Sequence, residues 1–112
     1  MKTNEFVFKL KADFLGALAN PARLRILERL RQGEASVGSL VKELQVPQPS
    51  VSKHVAILRQ AGLVKSRQAG ANVFIGVVDE DIYHVLAVIS GILRKRVRES
   101  QKALEELGKE GR

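Results

Sequence analysis

The stretch that decides the fold reads Ser36-Val37-Gly38-Ser39-Leu40-Val41-Lys42-Glu43-Leu44-Gln45-Val46-Pro47-Gln48-Pro49-Ser50-Val51-Ser52-Lys53-His54-Val55. Val37, Leu40, Val41 and Leu44 share one helical face, and Ser36 stands where a hydroxyl can cap the opening N–H groups, so a short helix is expected. Gln45-Val46-Pro47-Gln48-Pro49 breaks it, because a proline donates no helical hydrogen bond and disfavours a helical residue before it. A second helix is expected over about 48–60, burying Val51, Val55 and Leu58 at spacings of four and three and ending at Gly62. With that face inward, Gln48, Ser50, Ser52, Lys53 and His54 are left facing outward at its start.

Working outward, Leu63-Val64 and Val73-Phe74-Ile75-Gly76-Val77-Val78 flank a turn at Ala69-Gly70-Ala71-Asn72, which predicts a β-hairpin within about 63–78. Upstream, Phe6, Leu10, Phe14 and Leu18 recur every four residues, a helical period. Asn20-Pro21 then stops and restarts the chain, with Asn as N-cap and Pro in the first helical position, and Leu24, Ile26, Leu27 and Leu30 give a short second helix closed by Gly33. Asp79 is placed to cap a long final helix over about 79–107, whose apolar stripe runs from Ile82 to Val97, with residues 108–112 expected to fray. The fold class expected is mostly α with a small β-hairpin: three helices, a fourth after a tight turn, the hairpin and a long last helix, in one domain over 1–107. That order is a winged helix-turn-helix, an arrangement used to bind DNA.

The composition narrows the function. In 112 residues there are 19 Lys or Arg and 12 Asp or Glu, a net charge of +7, which favours a polyanionic partner. Residues 1–78 carry 12 basic and 5 acidic residues and residues 79–112 carry 7 of each, so the whole surplus lies with the helix-turn-helix and hairpin. There is no cysteine, which removes disulfides, thiolate chemistry and every cysteine-containing metal site. No apolar run is long enough for a signal peptide or a membrane span, so a soluble, cytoplasmic protein is expected. Nor is there a phosphate-binding glycine loop, a nucleophile elbow or a paired-carboxylate arrangement, and an enzyme is not expected.

Three segments, in order, resemble the ArsR/SmtB type of bacterial repressor. They are Leu18-Ala19-Asn20-Pro21-Ala22-Arg23-Leu24-Arg25-Ile26-Leu27, then Val37–Leu44 with Pro47-Gln48-Pro49-Ser50-Val51-Ser52-Lys53-His54-Val55, then Leu58-Arg59-Gln60-Ala61-Gly62-Leu63-Val64. The resemblance covers roughly residues 10–95 and implies a homodimer held by the first and last helices, with the fourth helix reading double-stranded DNA at an inverted repeat. Two dimer-held readers match half-sites about 34 Å apart. The chain departs from the family at the turn, where Gln45 replaces the usual Gly, and at the cap of the fourth helix, where Pro47 stands in place of a hydroxyl.

The candidate DNA-binding residues are Gln48, Pro49, Ser50, Ser52, Lys53 and His54 on the fourth helix and Lys65, Arg67 and Asn72 in the wing. Gln48 has the paired donor and acceptor that reads adenine, Lys53 suits guanine or phosphate, and the two serines permit close approach. For Gln48 and Ser50 the competing reading is simple helix capping. His54 is read as a DNA contact ahead of an exposed bystander or a metal ligand. Lys65 and Arg67 suit backbone phosphate or the minor groove, against the alternative of a solvated loop. Arg23, Arg25, Arg29 and Arg31 surround the second helix instead of lining one face, so pairing with Glu28 and Glu34 is expected for most of them.

The resemblance also raises a metal pattern on the last helix: Asp-x-His, ten residues, then His-x-x-Glu or His. In one register Asp81 is followed by Tyr83, Arg94 and Val97 at the ligand positions, and in the next His84 is accompanied by Ile82, Lys95 and Arg98. Cations and aliphatic side chains do not ligate zinc, so no metal site and no cofactor are expected. Asp79, Glu80 and Asp81 complement the dipole of the helix they precede. No effector is identified. The alternatives are a winged-helix protein-interaction module, which would show acidic or apolar residues on the outer face of the fourth helix, and a non-specific nucleic-acid binder, which would show exposed aromatics.

Overall fold

The computed structural model describes residues 2–110, with side chains over 4–109. The chain resolves into two compact units, residues 1–79 and 80–112. The first contains α1 (Lys2–Leu18), α2 (Pro21–Leu30), β1 (Ala35–Ser36), α3 (Val37–Leu44), α4 (Gln48–Gln60), β2 (Val64–Ala69) and β3 (Asn72–Val77). The second is α5 (Asp81–Glu110).

Local chemistry sets the element boundaries. Asn20 is extended, and its Oδ1 accepts from the N–H groups of Ala22 (2.8 Å) and Arg23 (3.2 Å), opening α2. Ser36 Oγ accepts from the Ser39 N–H at 3.0 Å and opens α3. Helix α4 closes on Gly62 at φ +79, where the Leu63 N–H reaches the Leu58 carbonyl at 2.9 Å and the Gly62 N–H the Arg59 carbonyl at 3.0 Å, the paired bonds of a Schellman turn. Gly70, at φ +62, starts the two-residue turn between the paired residues Ala69 and Asn72, a site where left-handed backbone matches the twist of the strands.

The sheet has three antiparallel strands in the order β1-β3-β2, so β3 is central. Its partner β1 is a two-residue strand, Ala35 opposite Ile75 and Ser36 opposite Phe74, that periodicity is too short to announce. Behind the sheet the fully buried side chains are Ile26, Leu27, Leu40, Val51, Leu58 and Ile75, one group drawn from α2, α3, α4 and β3. No polar or charged side chain is buried among the described residues.

Four boundaries differ from the sequence reading. Helix α1 starts at Lys2, ahead of the helical period that opens at Phe6, and takes in Phe6-Val7-Phe8. Strand β2 extends past Val64 to Ala69, carried by pairing to β3 and not by its own pattern. Helix α5 opens at Asp81, two residues after Asp79. It also runs to Glu110, so the residues expected to fray from 108 are helical as far as they are described; Gly111 and Arg112 lie outside the described residues. The spacing of Glu105 and Lys109, four apart, favours that last turn.

Helix α5 is 30 residues, or about 45 Å of rise. Ile82 and Tyr83 are buried, whereas Val88, Ile92, Val97, Leu104 and Leu107 are exposed. Among the described residues no helix is long and apolar enough to cross a membrane.

The turn between α3 and α4 carries two local costs. Gln45 adopts φ 55, ψ 45, the one left-handed non-glycine among the described residues, and Pro47 offers no side-chain bond to the opening N–H groups of α4. The Ser50 and Val51 N–H groups turn instead to the Pro47 carbonyl, at 3.0 and 3.1 Å. Gln45→Gly is therefore expected to raise folding stability by about 0.5–1 kcal/mol and Gln45→Val to lower it by about 1–2 kcal/mol, as measured by urea denaturation.

Candidate nucleic-acid interface

The seating of α4 through Val51, Val55 and Leu58 divides its remaining residues by angle, at about 100° per residue. Pro49 and Lys53 lie opposite the buried stripe and are exposed. Gln48, Ser52 and Arg59 fall on the side toward the wing, where they line a groove of about 440 Å³ together with Ser66 of β2 and Asn72 at the hairpin tip. Ser50 and His54 fall on the other side, and both are half-buried.

His54 is engaged within the protein. Arg23 Nη1 donates to His54 Nδ1 at 3.2 Å, while Arg23 Nε and Nη2 donate to the carbonyls of Ala17 (2.6 Å) and Gly16 (3.2 Å) at the end of α1. A guanidinium only donates, so Nδ1 is the acceptor and the imidazole carries its proton on Nε2. Burial, with the charges of Arg23 and Lys53 beside it, pushes the imidazole below its ordinary range, so the ring is neutral at pH 7. One arginine thus ties α1, α2 and α4 together, and the outward direction expected for His54 is replaced by this contact.

The wing distributes its polar residues by strand alternation. Ser66 points into the groove, where its Oγ accepts from Arg59 Nη1 at 3.0 Å. Arg67 is occupied: Nη2 donates to Glu34 Oε1 at 2.8 Å, and its guanidinium lies 5.0 Å from the centroid of Phe74. That hydrogen bond, with the charges of Arg67 and Lys65, holds the Glu34 carboxyl below its usual range. Gly76 makes room for the pair, since a Cβ there would stand 3.2 Å from Glu34 Cγ. Lys65, Gln68 and Asn72 are exposed.

The arginines on and beside α2 meet the expected Glu28 once and other partners otherwise. Arg29 pairs with Glu43 at 2.6 Å, Arg31 with Glu28 at 3.1 Å, and Arg25 donates to the Leu44 carbonyl at the end of α3. Glu34, expected near α2, belongs to the wing arginine. Among the described residues Lys53 and Arg59 of α4 and Lys65 of the wing strand beside it form no salt bridge, as Lys11 of α1 and Lys42 of α3 also do not. Arg59, at the far end of the helix, is eleven residues from Gln48, about three turns, and so falls on the same side of α4.

The sequence pattern described as bacterial regulatory protein, arsR family, matches residues 20–66. An uncharacterized HTH-type transcriptional regulator of Mycobacterium tuberculosis, Rv0081, is 35% identical over 105 residues, 93% of this chain and 92% of the relative. The chain belongs to the ArsR family. Its fold agrees: the crystal structure of Rv0081 superposes with a TM-score of 0.76 at 35% identity, covering 83% of this chain and 94% of that one. A winged helix-turn-helix DNA-binding domain from Mycobacterium bovis, solved in solution as a homodimer, superposes with a TM-score of 0.74 at 26% identity, covering 81% and 84%. The biofilm growth-associated repressor of Agrobacterium fabrum is 35% identical over 72% of this chain and 69% of its own length.

This ArsR-family protein does not offer the donors of the metal pattern set out above. Tyr83 is buried, Arg94 and Val97 are exposed on α5, and a phenol, a guanidinium and an isopropyl group do not make a zinc site with Asp81. Among the described residues no three His, Cys, Asp or Glu side chains are gathered in a metal-holding group.

The His54 contact has a pH signature. Its folded pKa lies below the unfolded value, so as pH falls the unfolded chain takes up the proton first and stability is lost through the ordinary imidazole range, about 6.5, levelling off below the folded pKa. Urea melts between pH 8 and 5 are expected to show this loss in the wild type and a shallower one in His54→Gln, where an amide oxygen still accepts from Arg23.

Proposed function

We propose that this regulator is a homodimeric, cytoplasmic repressor that binds an inverted-repeat operator, with α4 in the major groove of each half-site and the β2–β3 wing beside it. The observation that carries the reading is the outer face of α4: Gln48, Pro49, Ser52 and Lys53 are exposed, and among the described residues Lys53, Arg59 and Lys65 form no salt bridge. Gln48 reads a base edge, Lys53 takes a guanine or a phosphate, and Ser50 and Ser52 keep the helix surface low enough for close approach. Lys65 and Asn72 reach the backbone from the wing. His54 and Arg67 serve by positioning, the first by holding α4 against Arg23 and the second by bracing the wing against Glu34. The repressor role is proposed from relatives such as the biofilm growth-associated repressor.

Dimerisation covers apolar side chains that each unit exposes separately. On α1 these are Phe6, Phe8, Leu10 and Leu15, between 53% and 68% exposed, and on α5 they include Val88, Ile92 and Val97, between 55% and 63%. Surfaces of this kind mark a protein–protein interface.

Selection of bound sequences from a random duplex pool is expected to yield a two-fold symmetric site. Gln48→Ala is expected to lose about 1–3 kcal/mol of discrimination at one base pair in each half-site. Lys65→Ala is expected to weaken all duplexes alike and Arg67→Ala to weaken them by a smaller factor, through a wing no longer braced; recovery of no preferred sequence would sink the assignment. Light scattering at micromolar concentration is expected to report a dimer, and Ile92→Asp a monomer that no longer holds the full operator.

A further inference from the structure

A duplex bound by α4 and the wing presents a geometric demand. The major groove that receives the helix and the minor groove beside it are separated by one sugar–phosphate strand, so that strand passes between helix and wing. The groove at that place is lined by Gln48, Ser52 and Arg59 from α4 and by Ser66 and Asn72 from the wing, with no carboxylate among its lining residues. Arg59 is held across it: Nη1 donates to Ser66 Oγ at 3.0 Å, which fixes the plane of the guanidinium and leaves its other N–H groups without a carboxylate. Ser66 accepts that bond, so its own hydroxyl hydrogen is available to a further acceptor.

We infer that this groove is a binding site for one backbone phosphate in each half-site, with Arg59 as its charged clamp and Ser66 as the residue that orients it. The inference rests on the DNA-binding reading above and adds to it a contact at the C-terminal end of α4, remote from the helix start that reads bases. A phosphodiester suits the place chemically. Its two non-bridging oxygens accept from a forked guanidinium and a neighbouring hydroxyl, and its single charge is balanced by the one cation the groove contains.

The contact is tested by a scan in which single phosphates of the selected operator are replaced by uncharged methylphosphonates, read with wild type, Arg59→Gln, Arg59→Lys and Ser66→Ala proteins whose melting is first compared. In the wild type, neutralising one particular phosphate per half-site is expected to weaken binding about tenfold. In Arg59→Gln the same replacement is expected to cost little, and the slope of log affinity against log salt to fall by about 0.9 for each protomer. Arg59→Lys is expected to keep the salt slope while losing part of the affinity, and Ser66→Ala to lose affinity only when Arg59 is present. Equal costs of every replacement in wild type, Arg59→Gln and Arg59→Lys overturn the phosphate site and leave the DNA-binding reading standing. A wild-type protein that binds no duplex even at low salt overturns both.

Discussion

The seating of α4 in the core governs what the rest of the first unit can do. Val51, Val55 and Leu58 are buried to 6% exposure or less, and a helix pinned along one stripe has no freedom to rotate about its axis. Lys53 is therefore turned outward, Gln48, Ser52 and Arg59 toward the wing, and His54 toward α2. The same stripe joins Leu40, Ile26 and Ile75, so the outward face and the core that holds the domain are two sides of one helix. Loss of a buried leucine such as Leu58 costs about 2–5 kcal/mol and disturbs both at once.

The basic residues fall into two populations with different physics. Arg25, Arg29, Arg31 and Arg67 spend their donors on carboxylates or carbonyls of the protein, and Arg23 bridges two carbonyls and an imidazole. These are bracing contacts, and exposed pairs of this kind contribute more to geometry than to stability. Lys53, Arg59 and Lys65 are left with their charge to the solvent side. Three cations without a salt bridge thus lie close together on α4 and the wing, the form in which charge steers a polyanion.

Much of this was legible from short-range pattern. Asn20-Pro21, Ser36, the proline-flanked break at 45–49 and Gly62 each act within a few residues of themselves, which is why the helix starts and stops of the first unit were readable. The departures arose where pairing, not local preference, makes the element: β1 exists because Ala35 and Ser36 meet Ile75 and Phe74, and β2 continues to Ala69 because β3 lies beside it. The site residues divide in the same way. Helical angle sufficed to turn Lys53 outward, but no local rule pairs Arg67 with Glu34, which is 33 residues away, or Arg23 with His54, which is 31 away.

By itself the sequence determined the family, the order of the elements and the buried stripe of α4, because periodicity, capping residues and glycine or proline breaks act on neighbours in the chain. Only the tertiary structure decided which cations are spent inside the protein and which are not. That choice depends on which distant carbonyls and carboxylates packing brings within about 3 Å, a matter of folded geometry that a count of charges along the chain does not contain.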